Sequence, residues 1–203
     1  HGLAQERGAA DRVNDQAHWV KGEGDPISHW PGVTTGSGDP RDFSVAIQGY
    51  EVPNTAPGDE LTLGGAWAAP AGLPGSIAAL NPAPGSDVLV LRYLASEGVP
   101  VTTIATAGAG EALSFDPLRW SALTSDGNPA PTLYGVGDCT HADVFPGTGV
   151  AGTVTSTVAT GLADRYTPQP SGQTMLYRAE SVVYYVADND SGVPALFRNR
   201  ANG

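Results

Sequence analysis

Along the chain, apolar residues fall into short alternating runs between clusters of glycine, proline and aspartate. The clearest run is "SDVLVLRYL", Ser86–Leu94. Val88 and Val90 point to one side and Leu89, Leu91 and Tyr93 to the other, which predicts a strand buried on both faces. "VTTIATA" (Val101–Ala107) follows a turn signal at Glu97 and Gly98 and is the expected hairpin partner of that strand. Further strands are predicted at "SVAIQGY" (Ser44–Tyr50), "TLYGV" (Thr132–Val136), "ADVFP" (Ala142–Pro146) and "GTVTSTVA" (Gly152–Ala159). The last prediction is a terminal hairpin around "VVYYVADNDSGVPALFRNR", Val182–Arg200.

One segment has a different period. Leu3, Ala10, Val13, Ala17 and Val20 recur at helical spacing, with Glu6, Arg7, Asp11, Arg12 and Asp15 on the other faces. An amphipathic helix over Leu3–Val20 is therefore expected, its apolar stripe lying on a sheet. Residues 22–42 form a loop by composition, with Trp30 as its expected anchor to the body. The fold class expected is α+β: an N-terminal helix packed on an antiparallel sheet with long Gly/Pro-rich loops, forming a single domain over residues 1–203.

Composition narrows the function classes. The chain has 203 residues, enough for a substantial core, and its 27 glycines and 17 prolines suit strands and long loops. A net charge of −11 excludes the basic face that nucleic acid needs and opposes docking on anionic lipid. Cys139 is the only cysteine, so no internal disulfide forms. No apolar run approaches the roughly 18–20 residues that span a bilayer, and no signal peptide is predicted within the sequence. The chain begins at His1 without an initiator methionine, which suggests a processed or truncated piece.

Two constellations invite a chemical interpretation. In "DNDSG", Asp188, Asp190 and Gly192 sit where a calcium loop begins, but no bidentate glutamate follows. Two carboxylates are too few for a calcium cage. Asp, Asn, Ser and Gly are also what a hairpin bend requires, and the bend is the favoured reading. In "GDCTHADVF", Asp138, Cys139, His141 and Asp143 lie within one short stretch. Zinc needs three or four ligands, which His18 or His29 would supply only by a coincidence of folding. A thiol nucleophile needs a base and an oxyanion hole that nothing here signals. Cys139 is instead expected as a buried cysteine entering a strand. "GAGEA" (Gly108–Ala112) matches neither a P-loop nor a dinucleotide fingerprint. The four tryptophans, Trp19, Trp30, Trp67 and Trp120, are expected as core or loop anchors rather than a sugar platform. No catalytic residue, cofactor or metal site is predicted.

"GSDVLVLRY" (Gly85–Tyr93), "GVGDCTHADVFPGTG" (Gly135–Gly149), "LADRY" (Leu162–Tyr166) and "MLYRAESVVYYVADNDSGVPALFRNR" (Met175–Arg200) occur in this order. Together they resemble the soluble part of the PilW family of minor type IV pilins, over roughly residues 85–200. Residues 1–84 depart from the family, which carries a Gly-Tyr segment with a cysteine after its helix. The resemblance implies that residues 1–21 are the remnant of an N-terminal helix whose apolar half, preceding His1, would be the sole membrane contact. It implies a non-enzymatic subunit, held in the inner membrane and then built with other minor pilins into a complex that primes pilus assembly. That complex is expected at the pilus tip, on the cell surface, in contact with a large tip adhesin. The J-type minor pseudopilin of type II secretion is the nearest alternative, and a calcium- or sugar-binding surface module is a further one.

Overall fold

The computed structural model describes residues 27–54, 58–59 and 68–201. Its strands are β1 (Ile27–Ser28), β2 (Ile47–Tyr50), β3 (Val88–Pro100), β4 (Thr103–Ala107), β5 (Gly110–Ser114), β6 (Leu133–Gly137), β7 (Ala142–Val150), β8 (Thr153–Ser156), β9 (Met175–Asp188) and β10 (Pro194–Arg200). Its helices are single turns: α1 (Gly75–Ala78), α2 (Trp120–Leu123) and α3 (Leu162–Arg165).

The α+β, pilin-like expectation is therefore corrected. The described residues are a mainly antiparallel β structure with no N-terminal helix packed on a sheet. The predicted helix over Leu3–Val20 lies outside the described residues. The physical reason is visible in the longest described runs free of glycine and proline, 86–97 and 173–191. Both are rich in branched and aromatic residues and form β3 and β9.

The chain divides into two compact units, and β3 and β9 each contribute to both. The first unit comprises residues 27–33 and Tyr93–Glu180. Its strands follow the order β3–β9–β6–β7–β8–β5–β4, with β1 added in parallel on β7. The β6–β7 hairpin pairs Tyr134 with Phe145 and Val136 with Asp143. Val99, Leu113, Tyr134, Phe145, Val154 and Leu176 form the core, closed by Leu123 of α2 and Leu162 of α3. The expected turn at Glu97 and Gly98 does not form, and β3 runs through it to Pro100. A Cβ at Gly98 would collide with the Tyr177 ring, so this glycine is an in-strand accommodation of a close neighbour. The expected partner of β3, β4, pairs instead with β5, a strand hidden in "GAGEALS".

The second unit comprises Thr34–Arg92 and Ser181–Ala201. Here the order is β2–β3–β9–β10. Tyr50, Val88, Val90, Val183 and Tyr185 cover one face, packed under Ile77 of α1 with Leu73, Leu80 and Phe197. Tyr185 stacks on Phe197 across the β9–β10 hairpin, ring centroids 5.6 Å apart. Arg92 is buried and organises the loop before β2. Its guanidinium donates to the carbonyls of Pro40 (3.0 Å), Val45 (2.8 Å) and Asp39 (2.8 Å) and to Gln48 Oε1 (3.2 Å). Asp42 caps the same loop, accepting from Gly36 N at 2.6 Å and Ser44 N at 3.1 Å.

Candidate functional site

The strand containing Leu89, Leu91 and Tyr93 was expected to be buried on both faces. That expectation is corrected in the second unit. Val88 and Val90 are buried, but Leu89 is 39% exposed and Leu91 half-buried. Strand register fixes which residues share the open face. Ile47 lies opposite Leu91 and Gly49 opposite Leu89, while Leu196 lies opposite Val186 and Arg198 opposite Tyr184. Ile47, Leu89, Leu91, Tyr184, Val186 and Leu196 thus form one apolar face. Leu196 is 73% exposed and Ile47 42% exposed. A sheet with one covered face ordinarily turns polar residues outward. This one does not, and contiguous exposed apolar surface marks an interaction site.

A shallow, largely open depression of about 640 Å³ lies over the face, lined by Gly49, Leu89, Tyr184 and Leu196 together with Glu51 and Asp87. A Cβ built on Gly49 meets nothing within 4 Å, so the missing side chain leaves room beside Leu89. Asp87 is fixed by accepting from Val52 N at 2.9 Å. The same end of the unit carries the turn between β9 and β10. Asn189 organises that turn, its Oδ1 accepting from Ser191 N (2.9 Å) and Val193 N (3.1 Å), with Gly192 at φ 71°. Asp188 and Asp190 are exposed at the two sides of this bend.

The other predicted cluster is taken apart by the fold. Cys139 is exposed, not buried, and its Sγ lies 3.1 Å from Gln173 Oε1. It sits in a turn ahead of β7 rather than in a strand. Asp138 builds that turn, accepting from Thr140 N and His141 N at 2.7 Å each. Burial works against its charge, but these hydrogen bonds outweigh burial and hold the carboxyl below its ordinary value. Asp143 points the other way and is fully buried. It accepts from Tyr166 Oη at 2.5 Å, lies 2.6 Å from His29 Nε2 and pairs with Arg165 at 3.4 Å. Burial first, and the Asp143 carboxylate second, push the Tyr166 hydroxyl far above its ordinary value. The cluster fastens β1 and the segment after α3 onto β7.

Among the described residues, no three His, Cys, Asp or Glu side chains converge on a metal position. Among the same residues, no helix is long and apolar enough to cross a membrane. Trp30 is buried, and Trp120 stacks on Phe115. Trp19, Trp67 and His18 lie outside the described residues. The open face escaped sequence reading because an apolar alternation looks the same whether or not something covers it. Only Gly49, a strand glycine, was a visible signal.

Comparison with protein-family models, curated proteins and solved structures finds no match to this chain.

Proposed function

We propose that the protein is a minor type IV pilin of the PilW kind, a non-enzymatic subunit that helps prime pilus assembly and forms part of a tip complex at the cell surface. One observation carries this assignment. The separate sequence segments that resemble the family are direct partners of one another in the fold. "GDCTHADVF" supplies the buried Asp143, and "LADRY" supplies the Arg165 and Tyr166 that bind it. "MLYRA" pairs with β6, Met175 opposite Gly137 and Arg178 opposite Tyr134. The segments that carry the resemblance thus lie together in this chain's fold, which supports treating them as one unit.

The open apolar face supports the same function from a separate direction. A subunit that works through contacts with its neighbours needs surface that is costly to leave wet, and the β2–β3–β9–β10 face supplies it. Other minor pilins, and through them a tip adhesin, are the partners the assignment implies.

The test is co-purification of the full chain with the minor pilins of its source organism, alongside Leu196→Asp. Capture of one or more minor pilins by the native chain, lost in the variant, is the expected result. Capture of type II pseudopilins instead, or of neither by a chain shown to be folded, overturns the assignment.

A further inference from the structure

The open face also specifies the chemistry of what covers it. The inference deepens the assignment above by naming the partner's surface. Its test is arranged so that either one fails separately.

Leu89, Tyr184 and Leu196 line the groove, and Gly49 leaves room beside Leu89. A solvent-filled apolar groove favours an aliphatic or aromatic side chain, which removes both apolar surfaces from water. The charged residues that line it are acidic: Glu51 and Asp87 line one end, and among the described residues no Lys or Arg lines it. β2 ends and β3 begins at that end, next to Glu51 and Asp87. Ala83 N donates to Val186 O at 2.7 Å, which brings the end of β9 and the start of β10 to the same side. Asp188 ends β9 at that end of the sheet, outside the lining of the groove. Arg198 and Arg200 also lie on this face by strand alternation, opposite Tyr184 and Val182, farther along β10 than Leu196 and away from the acidic end.

We infer that the groove receives a segment of a partner protein that presents a large apolar side chain flanked by Lys or Arg. The apolar side chain lies over the open face against Leu89, Tyr184 and Leu196, with Gly49 leaving room beside Leu89 on the edge strand β2. The cation meets Glu51 and Asp87. Exposed carboxylates contribute little to affinity one by one, but together they set orientation and reject acidic partners.

The test uses the full chain and three fluorescein-labelled peptides: alternating Leu and Lys, alternating Leu and Glu, and alternating Ser and Lys. Anisotropy should show saturable binding of the Leu/Lys peptide alone. Leu196→Asp should weaken it roughly tenfold or more, as loss of a central apolar contact does. Gly49→Phe, which enters open space, should block it with the melting temperature preserved. Glu51→Lys should weaken it several-fold, and the native affinity should fall with added salt. Equal binding of the Ser/Lys peptide overturns the inference, as does Leu/Lys binding indifferent to all three variants. Preference for zwitterionic phosphatidylcholine vesicles over the Leu/Lys peptide overturns it in favour of a lipid surface. Minor-pilin capture without peptide binding removes the inference and leaves the assignment standing. Peptide binding without minor-pilin capture does the reverse.

Discussion

The two units solve the same problem in different ways. In the first, β9 is buried without interruption from Leu176 to Glu180, and polar groups that enter the core come with partners. Arg178 is held by Glu180 (2.7 Å), the Ser125 carbonyl (2.8 Å) and Asp126 (3.0 Å), and Asp143 by three side chains. In the second, alternation returns after Val183: Tyr185 is buried, but Tyr184 and Val186 are half-exposed. The first unit also exposes apolar side chains, Ile27, Tyr93, Leu118 and Val150, whereas the second gathers Ile47, Leu89 and Leu196 on one sheet face. A face of that kind is costly to leave wet.

Substitutions should divide along that line. The largest effect is expected at Asp143. Asp143→Ala removes the acceptor of a buried Tyr166 hydroxyl and the partner of His29 and Arg165. A loss of about 3–5 kcal/mol in urea unfolding is expected, the range for breaking a buried charged network. Arg92→Met in the second unit leaves several loop carbonyls without a donor and should cost about 2–3 kcal/mol. It tests whether the open unit still has a rigid interior beneath its exposed face.

Glu111 gives the comparison a pH signature. It accepts from Leu162 N at 2.9 Å, Ala163 N at 3.0 Å and the Thr160 hydroxyl. Burial raises its pKa, but these hydrogen bonds, with His29 nearby, outweigh burial and leave it lowered in the folded state. A lowered carboxyl stabilises the fold above its unfolded value, and this contribution disappears as pH falls through the folded value. The native chain should therefore lose stability on acidification more steeply than Glu111→Gln. Equal slopes in pH-dependent melting would contradict the hydrogen-bond account.

The smallest stability effect is expected on the open face. Leu196→Asp should change unfolding free energy by no more than about 0.5 kcal/mol, the range of ordinary surface substitutions. Partner capture should nevertheless be lost. A large destabilisation would mean that Leu196 belongs to a closed core, and the contrast between the units would fail.

Several strand positions were legible in the chain, but the fold class was not: the expected α+β arrangement is a mainly antiparallel β structure among the described residues. The β9–β10 hairpin and its bend follow from "VVYYV", "DNDSG" and "ALFRN". Glycine is where the sequence misled. Gly98 looks like a turn and is a strand residue shaped around Tyr177, while the glycines of "GAGEALS" conceal β5. The His29–Asp143 pair was not legible, because its members lie 114 positions apart and neither marks the other. The open face was not legible either. Leu89 and Leu196 have the same identity and spacing as core residues, and only their exposure among the described residues distinguishes them.

Footprinting tests the central claim most directly. Carbene labelling of Leu89, Tyr184 and Leu196 should be strong in the isolated protein and fall sharply when the chain is assembled with its minor-pilin partners. Val90 and Tyr185, on the covered face, should label weakly in both states. Labelling of Leu89 and Leu196 that is unchanged on assembly would contradict the account, because the open face would then not be where the partner sits.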